Sequence, residues 1–341
     1  MNFGLRALLA LLAAMAVTAV SSYFLIPVLR KKKMEQHVRD DGPSSHLSKE
    51  GTPTMGGIMI LFGLLSGLLF FFYNDGRAVN AVLFLLMGTL LFGFIGFLDD
   101  FIKMVKKRSL GLRAWQKIVL QLGAAFVTAW FAFDVLNLRQ ELIPFAGTYW
   151  DLGNFYIPFT MLVFLAVTNA VNLTDGLDGL ASSCVMINGV SFFAIIVLMF
   201  PALLLVRPEA LIGKEGIIAN TGIFSAALVG ACLGFFFFNR HPAKVFMGDT
   251  GAFALGGALG AIATALDLQL LLPIVGFVYV LNALSVIIQV GSFKLRHKRV
   301  FKMAPLHHHF ELMGIPETRV VGGYVIVTVV ASVIGIVSAF F

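Results

Sequence analysis

The chain has 341 residues, 59% of them hydrophobic and only 13% charged, with a formal net charge of +7. A soluble domain carries about 25% charged residues, so this composition, with a mean hydropathy of +0.91, excludes a soluble globular protein. The positive charge reads as basic loops at a membrane surface and not as a nucleic-acid footprint. The two cysteines, Cys184 and Cys232, fall in apolar segments without metal-like spacing and read as small buried hydrophobes.

Ten apolar runs follow along the chain, at 4–29, 55–73, 78–98, 114–134, 156–172, 181–201, 217–238, 251–267, 270–292 and 320–341. Runs of about 20 apolar residues predict transmembrane helices, because hydrocarbon leaves the backbone no other open structure. The first run, Leu5–Leu29, is too long for a signal-peptide core and reads as a retained helix. No soluble domain fits between the runs. The expectation is one all-α integral membrane domain over residues 1–341.

Lys and Arg set the orientation. All but five of the 25 basic residues fall in alternate loops that include Arg30–Lys33, Arg39 and Lys49, Lys103–Lys117, Arg240 and Lys244, and Lys294–Arg319. Arg6, Arg77, Arg139, Arg207 and Lys214 remain for the other side. The basic side is expected to be cytoplasmic, with both termini outside. All seven histidines, His37, His46, His241, His297 and His307–His309, fall on that same side. So do the carboxylates of three polar segments, which puts any chemistry in a cytoplasm-facing cleft.

Five segments carry that chemistry. In "SKEGTPTMGG", Lys49 precedes a Gly/Pro/Thr turn into the second run; as a single lysine it is an ordinary positive-inside residue, and its context makes it a ligand candidate. In "GFLDDFIK", Asp99 and Asp100 follow an apolar run directly. Adjacent carboxylates repel unless a cation neutralises them, which points to a metal site or a general base. In "VNLTDGLDGL", Asn172, Asp175 and Asp178 are spaced to share one face of a helical turn, with Gly176 and Gly179 allowing close approach. Ionisable groups at membrane depth are functional candidates, although a capped turn would account for one of these carboxylates.

In "NRHPAKVFMGDTGAFALGG", Asp249 opens the eighth run, where a helix N-terminus favours anions. In "KMAPLHHHFEL", His307, His308 and His309 are consecutive and lack a zinc-like partner. Beside Lys298, Arg299 and Lys302 they suit an oligophosphate. Carboxylates with few sulfur ligands suit a hard ion such as magnesium, which keeps water and substrate phosphate as its other ligands. The combination points to phosphoryl transfer between a nucleotide-type substrate and a lipid phosphate.

These five segments resemble the signature segments of the bacterial phospho-N-acetylmuramoyl-pentapeptide transferases, within the polyprenyl-phosphate N-acetylhexosamine-1-phosphate transferases. The resemblance covers essentially the whole chain, and the triple-His segment is its most specific part. It implies ten helices in the bacterial cytoplasmic membrane and transfer from UDP-N-acetylmuramoyl-pentapeptide to undecaprenyl phosphate. The products would be lipid I and UMP, in the first membrane step of peptidoglycan synthesis. It further implies Mg²⁺, a homodimer, and no nucleic-acid partner.

By resemblance, Asp99 and Asp100 are the acidic pair, Asp99 a base for the lipid phosphate; Asp249 is the Mg²⁺ ligand; and Asp175 lies in the catalytic pocket. Lys49, Gly176, Leu177, Asp178, Asn239 and Phe246 form the uridine pocket, with Phe246 stacked on the base. Gln289, His307 and His308 lie near sugar and phosphate. Ala252 stands where the family usually has Ser. Direct transfer and an Asp-linked phospho-enzyme both remain open on these residues, and the polyprenyl chain is expected along the fifth and ninth runs.

Overall fold

The computed structural model describes residues 1–32, 49, 51–74, 78–106, 110–206 and 213–340. Lys33, Arg39, Arg77, Lys107, Arg108, Arg207, His37 and His46, which enter the orientation argument, lie outside the described residues.

Ten helices of 15 residues or more appear among the described residues, one for each apolar run. They are α1 (Phe3–Lys31), α2 (Gly57–Phe71), α3 (Ala78–Val105), α4 (Ala114–Asp134) and α5 (Tyr156–Thr174), then α6 (Leu180–Val206), α7 (Glu215–Asn239), α8 (Gly248–Ala265), α10 (Phe277–Arg296) and α12 (Glu317–Ser338). Two short helices, α9 (Leu272–Val275) and α11 (Leu306–Glu311), complete the set. Eight helices are long and apolar enough to cross a membrane, all but α2 and α8 of the ten. The protein is therefore a multi-pass helical membrane protein.

The low hydropathy of α8 has a packing cause. Every residue from Thr250 to Ala265 is buried, and most are Gly or Ala. Helices α2, α3, α5, α6 and α7 surround it. A helix enclosed by other helices needs small residues for close approach more than it needs large apolar ones. Those large residues lie instead on the periphery, where Phe70, Leu162, Ile287 and Ile326 are exposed toward the surface that lipid would cover.

Three boundaries differ from expectation. Helix α3 runs through the acidic pair to Val105, so Asp99 and Asp100 sit on a helix rather than beyond one. The ninth run is broken: a 3₁₀ turn at Gln269–Leu271 and α9 precede a break at Gly276, after which α10 begins. Pro273 lies in the first turn of α9, where its missing N–H is tolerated, and an apolar count cannot detect the break. Finally, the all-α expectation omits a β-hairpin of β1 (Gln140–Ile143) and β2 (Thr148–Asp151), paired antiparallel. Its strands are too short to display an alternating pattern. Its tip carries Phe145 and Gly147 at positive φ (65° and 59°), a turn signal that two charged strands obscure.

The helices alternate in direction, which gives the bundle two chemically different ends. At one end the hairpin packs on helix termini: Leu142 N–H donates to the Asp267 carbonyl (2.8 Å) and Phe145 N–H to the Ser338 carbonyl (2.9 Å). There Arg6 near the start of α1 reaches the Phe72 carbonyl that ends α2 (2.6 Å). Both chain termini thus belong to the hairpin end. The other end gathers the C-termini of α3, α5 and α7 with the N-termini of α2, α4, α8 and α12, and all the acidic motifs lie there.

Candidate active site

The centre of this end is a carboxylate–lysine cluster. Asp99 is fully buried on α3. Its Oδ1 accepts from Leu112 N–H (2.7 Å), and its Oδ2 lies 2.7 Å from Lys103 Nζ and 3.1 Å from Lys117 Nζ. Asp249, in the first turn of α8, brings its Oδ2 to 3.1 Å from Lys103 Nζ and 2.8 Å from Lys117 Nζ. Its Oδ1 accepts from Asn172 Nδ2 (3.0 Å). Helices α3, α4, α5 and α8 therefore each supply a side chain to one point.

Asp100 has a different task. Its Oδ1 accepts from Asp249 N–H (3.2 Å), and its Oδ2 accepts from Thr250 N–H (2.9 Å) and Thr250 Oγ1 (2.7 Å). It caps α8 from the neighbouring helix and so fixes where Asp249 points. Close contact does the rest: a Cβ on Gly96 would stand 2.1 Å from the Asp249 carbonyl oxygen, so only glycine lets α3 approach α8 this closely.

Asn172, Asp175 and Asp178 do not share a face, contrary to the helical-spacing expectation. Helix α5 ends at Thr174, Asp175 is its C-cap, and Gly179 turns the chain at φ +77°. Asn172 consequently faces Asp249, while Asp178 faces the next pocket. Asp175 is half-buried between them. Burial, then the negative charges of Asp249, Asp100 and Asp178, pushes its carboxyl up to about 8, so Asp175 can carry a proton at neutral pH.

That next pocket is a cavity of about 320 Å³ lined by Lys49, Asp178, His241, Phe246 and Glu317, among others. Lys49 Nζ donates to Asp178 Oδ1 (2.7 Å) and Glu317 Oε1 (2.6 Å). Burial pulls the ammonium down, but its bonds to Asp178 and Glu317 outweigh this and hold it above its ordinary value. Asp178 Oδ2 accepts from Ala243 N–H (3.0 Å) and lies 3.2 Å from His241 Nδ1. Phe246 is set by its backbone, which bonds to the Pro53 carbonyl and Gly56 N–H (both 2.8 Å). The Gly/Pro/Thr turn after Lys49 thereby positions the aromatic ring.

Other expected site residues brace the walls. Asn239 is buried, with Oδ1 accepting from Ser182 Oγ (3.0 Å) and Nδ2 donating to the Val245 carbonyl (3.0 Å). Leu177 is in the apolar core. Gln289 uses its whole amide on the 300–301 backbone, accepting from Val300 and Phe301 N–H (3.0 Å each) and donating to the Phe301 carbonyl (2.9 Å).

The histidines separate by role. His307 is fully buried, and a Cβ on Gly176 would stand 2.2 Å from its Nε2. The glycine therefore admits the imidazole under the Asp175 turn. His308 Nδ1 lies 2.8 Å from Glu311 Oε2. His309 Nδ1 accepts from Lys302 N–H (3.1 Å), and Lys302 Nζ donates to the Leu312 carbonyl (2.8 Å). The expected row of imidazoles beside Lys302 is thus not one surface.

Asp99, Asp100 and Asp249 each offer an oxygen within 4.8 Å of the others, as do Asp178, His241 and Glu317. In the first group two ammonium ions converge on Asp99 and Asp249, marking a place built for positive charge with hard oxygen donors. A metal ion fits there. The second group has two carboxylates and a histidine, already bridged by Lys49, a set less suited to a hard ion than three carboxylates.

Lys103, Lys117, His241, Thr250 and Glu317 join the site, although the sequence motifs do not mark them as site residues. Lys103 carried a signal, since it stands at i+4 from Asp99 on α3. Lys117 joins Asp99 from the next helix, and His241, Thr250 and Glu317 act across more than 60 residues of chain.

Fold and site together define a multi-pass membrane protein with a carboxylate–lysine centre suited to phosphate chemistry. The profile of glycosyl transferase family 4 matches residues 82–267, and phospho-N-acetylmuramoyl-pentapeptide-transferase signature 1 matches residues 49–61. The chain is 48% identical over 335 residues to the phospho-N-acetylmuramoyl-pentapeptide-transferase of Clostridioides difficile (strain 630), with 97% of each chain covered. It is 47% identical over 327 residues to that of Thermoanaerobacter sp. (strain X514), with 96% of each covered. It is 44% identical over 331 residues to that of Heliobacterium modesticaldum, with 97% of each covered. The chain belongs to glycosyl transferase family 4 and, within it, to the phospho-N-acetylmuramoyl-pentapeptide-transferases.

Proposed function

We propose that this protein transfers phospho-N-acetylmuramoyl-pentapeptide from UDP-N-acetylmuramoyl-pentapeptide to undecaprenyl phosphate, giving lipid I and UMP. The observation that carries the mechanism is the meeting of Asp99, Asp249, Lys103 and Lys117 at one end of the bundle, the end that also holds the Phe246 cavity.

An oxygen of the lipid phosphate attacks the sugar-linked phosphorus, a new P–O bond forms, and the pyrophosphate P–O bond breaks to release UMP. A phosphate monoester has a second pKa of about 6, so most of the lipid phosphate is already a dianion at neutral pH, and Asp99 orients it more than it deprotonates it. Lys103 and Lys117, paired here with Asp99 and Asp249, would be freed for the pyrophosphate oxygens by a cation that takes over those carboxylates. Magnesium held by Asp249 with Asp99 would polarise a phosphoryl oxygen and offset charge on the departing UMP. Asp100 keeps α8 in place, and Asp175 supplies a proton-carrying group beside the centre.

In the cavity, Lys49 is balanced by Asp178 and Glu317, so it adds no net positive charge for a phosphate. The pocket suits an uncharged hydrogen-bonding ring, with Phe246 beneath it, and we assign it to uracil. We assign His307 and His308, on the short helix α11, to the sugar phosphate. The polyprenyl chain follows the apolar surfaces of α5 and α10.

All ten long helices span the bacterial inner membrane as one domain, with the site end in the cytoplasm, both termini outside, and a homodimer as the working form. Purified protein given each sugar nucleotide in turn tests the substrate. UMP release with UDP-N-acetylmuramoyl-pentapeptide is expected; release with UDP-N-acetylglucosamine alone would reassign it, and uptake into liposomes without UMP release would point to a transporter.

A further inference from the structure

Glu317 is the first residue of α12 and is separated from Lys49 by 268 positions and from Asp178 by 139. It nonetheless joins both. Its side chain is only 10% exposed. One oxygen, Oε1, accepts from Lys49 Nζ (2.6 Å) and from the backbone N–H of Asp178 (2.7 Å). The other, Oε2, lies 3.6 Å from His241 Nδ1. Three chain segments that line the cavity therefore meet on one carboxylate.

The position suits a carboxylate independently of these partners, since the first turn of a helix stabilises negative charge. Two charge-assisted bonds to a single oxygen also hold geometry more firmly than neutral ones. Removing the charge leaves Asp178 as the one anionic partner of Lys49 and weakens the hold of α12 on the Asp178 turn.

We propose that Glu317 is a positioning residue for the nucleotide end of the substrate. It fixes the Lys49 ammonium and the Asp178 amide in register with the cavity, and it does so by linking α12 to the Asp178 turn. The proposal rests on the assignment of that cavity to the nucleobase.

The test uses full-length protein in detergent. Glu317→Gln keeps the shape and removes the charge. It is expected to raise KM for the sugar nucleotide about tenfold, the loss of roughly one charge-assisted bond, with kcat and the KM for lipid phosphate changed less than about twofold. Lys49→Met combined with Glu317→Gln should cost less than the product of the two single losses, because the two residues share one contact. Amine labelling of Lys49, read by mass spectrometry, should rise in Glu317→Gln.

If wild-type protein is active but the variant lowers kcat alone, leaves the nucleotide KM unchanged, or multiplies with Lys49→Met, the proposal is overturned while the transferase reading stands. If wild-type protein releases no UMP, the transferase reading falls. Lys49 labelling then decides whether Glu317 holds the lysine, and unchanged labelling overturns the proposal.

Discussion

The residues of the cavity wall divide between those that face the cavity and those that hold the wall. Phe246 is among the former: it lines the cavity, and its backbone is pinned on both sides. Stacking on a base is worth about 1–3 kcal/mol by alanine substitution. Phe246→Ala should therefore weaken UMP binding by roughly fivefold to a hundredfold, with the melting temperature little changed. Titration calorimetry would check this, and an unchanged affinity removes the ring from the pocket.

Much of this scale was legible in the chain itself. Asp99, Asp249 and Asp178 stand out because charge beside an apolar run needs a reason, and Lys49 through the Gly/Pro/Thr turn that follows it. Glu317 and His241 do not, because each is an ordinary loop or helix-end residue until the fold carries it next to Asp178. Asn239 and Gln289 are polar residues near the site, but their amides are spent on protein partners, a fate that residue type alone does not reveal.

Among the helices, α8 shows how position replaces hydropathy. It is recognisable from its Gly/Ala run and its "GDTG" start, but its cap comes from Asp100 on α3, which no local pattern announces. Loss of a cap costs about 0.5–2 kcal/mol. Asp100→Ala should lower the melting temperature and activity together, whereas Asp100→Asn, which keeps an acceptor for Thr250, should retain more activity than Asp249→Asn. An Asp100→Asn variant as inactive as Asp249→Asn would place Asp100 among the groups that touch substrate or metal.

The hairpin is the element the sequence hid. Glu141 is fully buried on it and accepts from Gln269 N–H (2.8 Å) and Gln269 Nε2. Burial, then the neighbouring Asp267 charge, pushes the Glu141 carboxyl from 4.5 up to about 8. The folded state thus holds a proton that the unfolded chain releases at lower pH. The contribution is fully present below about 4.5 and is lost as pH rises through about 8. Thermal melts across that window should show stability falling with pH in wild-type protein and a flatter profile in Glu141→Gln. Equal slopes would contradict the assignment.

Across the whole molecule, alternating helices deliver every acidic motif to one end and the hairpin and termini to the other. The ten apolar runs and their basic loops made that division legible. The broken ninth run and the convergence of distant side chains were not, because they depend on packing between segments. What the architecture provides is a carboxylate–lysine centre at one end of the bundle, made by α3, α4, α5 and α8 together, and we propose that it holds a divalent cation.

The most direct test of that claim is a magnesium titration of UMP release by purified wild-type protein and Asp249→Asn. The account predicts saturable magnesium dependence in the wild type and a loss of at least about a hundredfold in the variant, as expected for removing a charged metal ligand. Activity within tenfold of wild type for Asp249→Asn, with the same magnesium dependence, would contradict it.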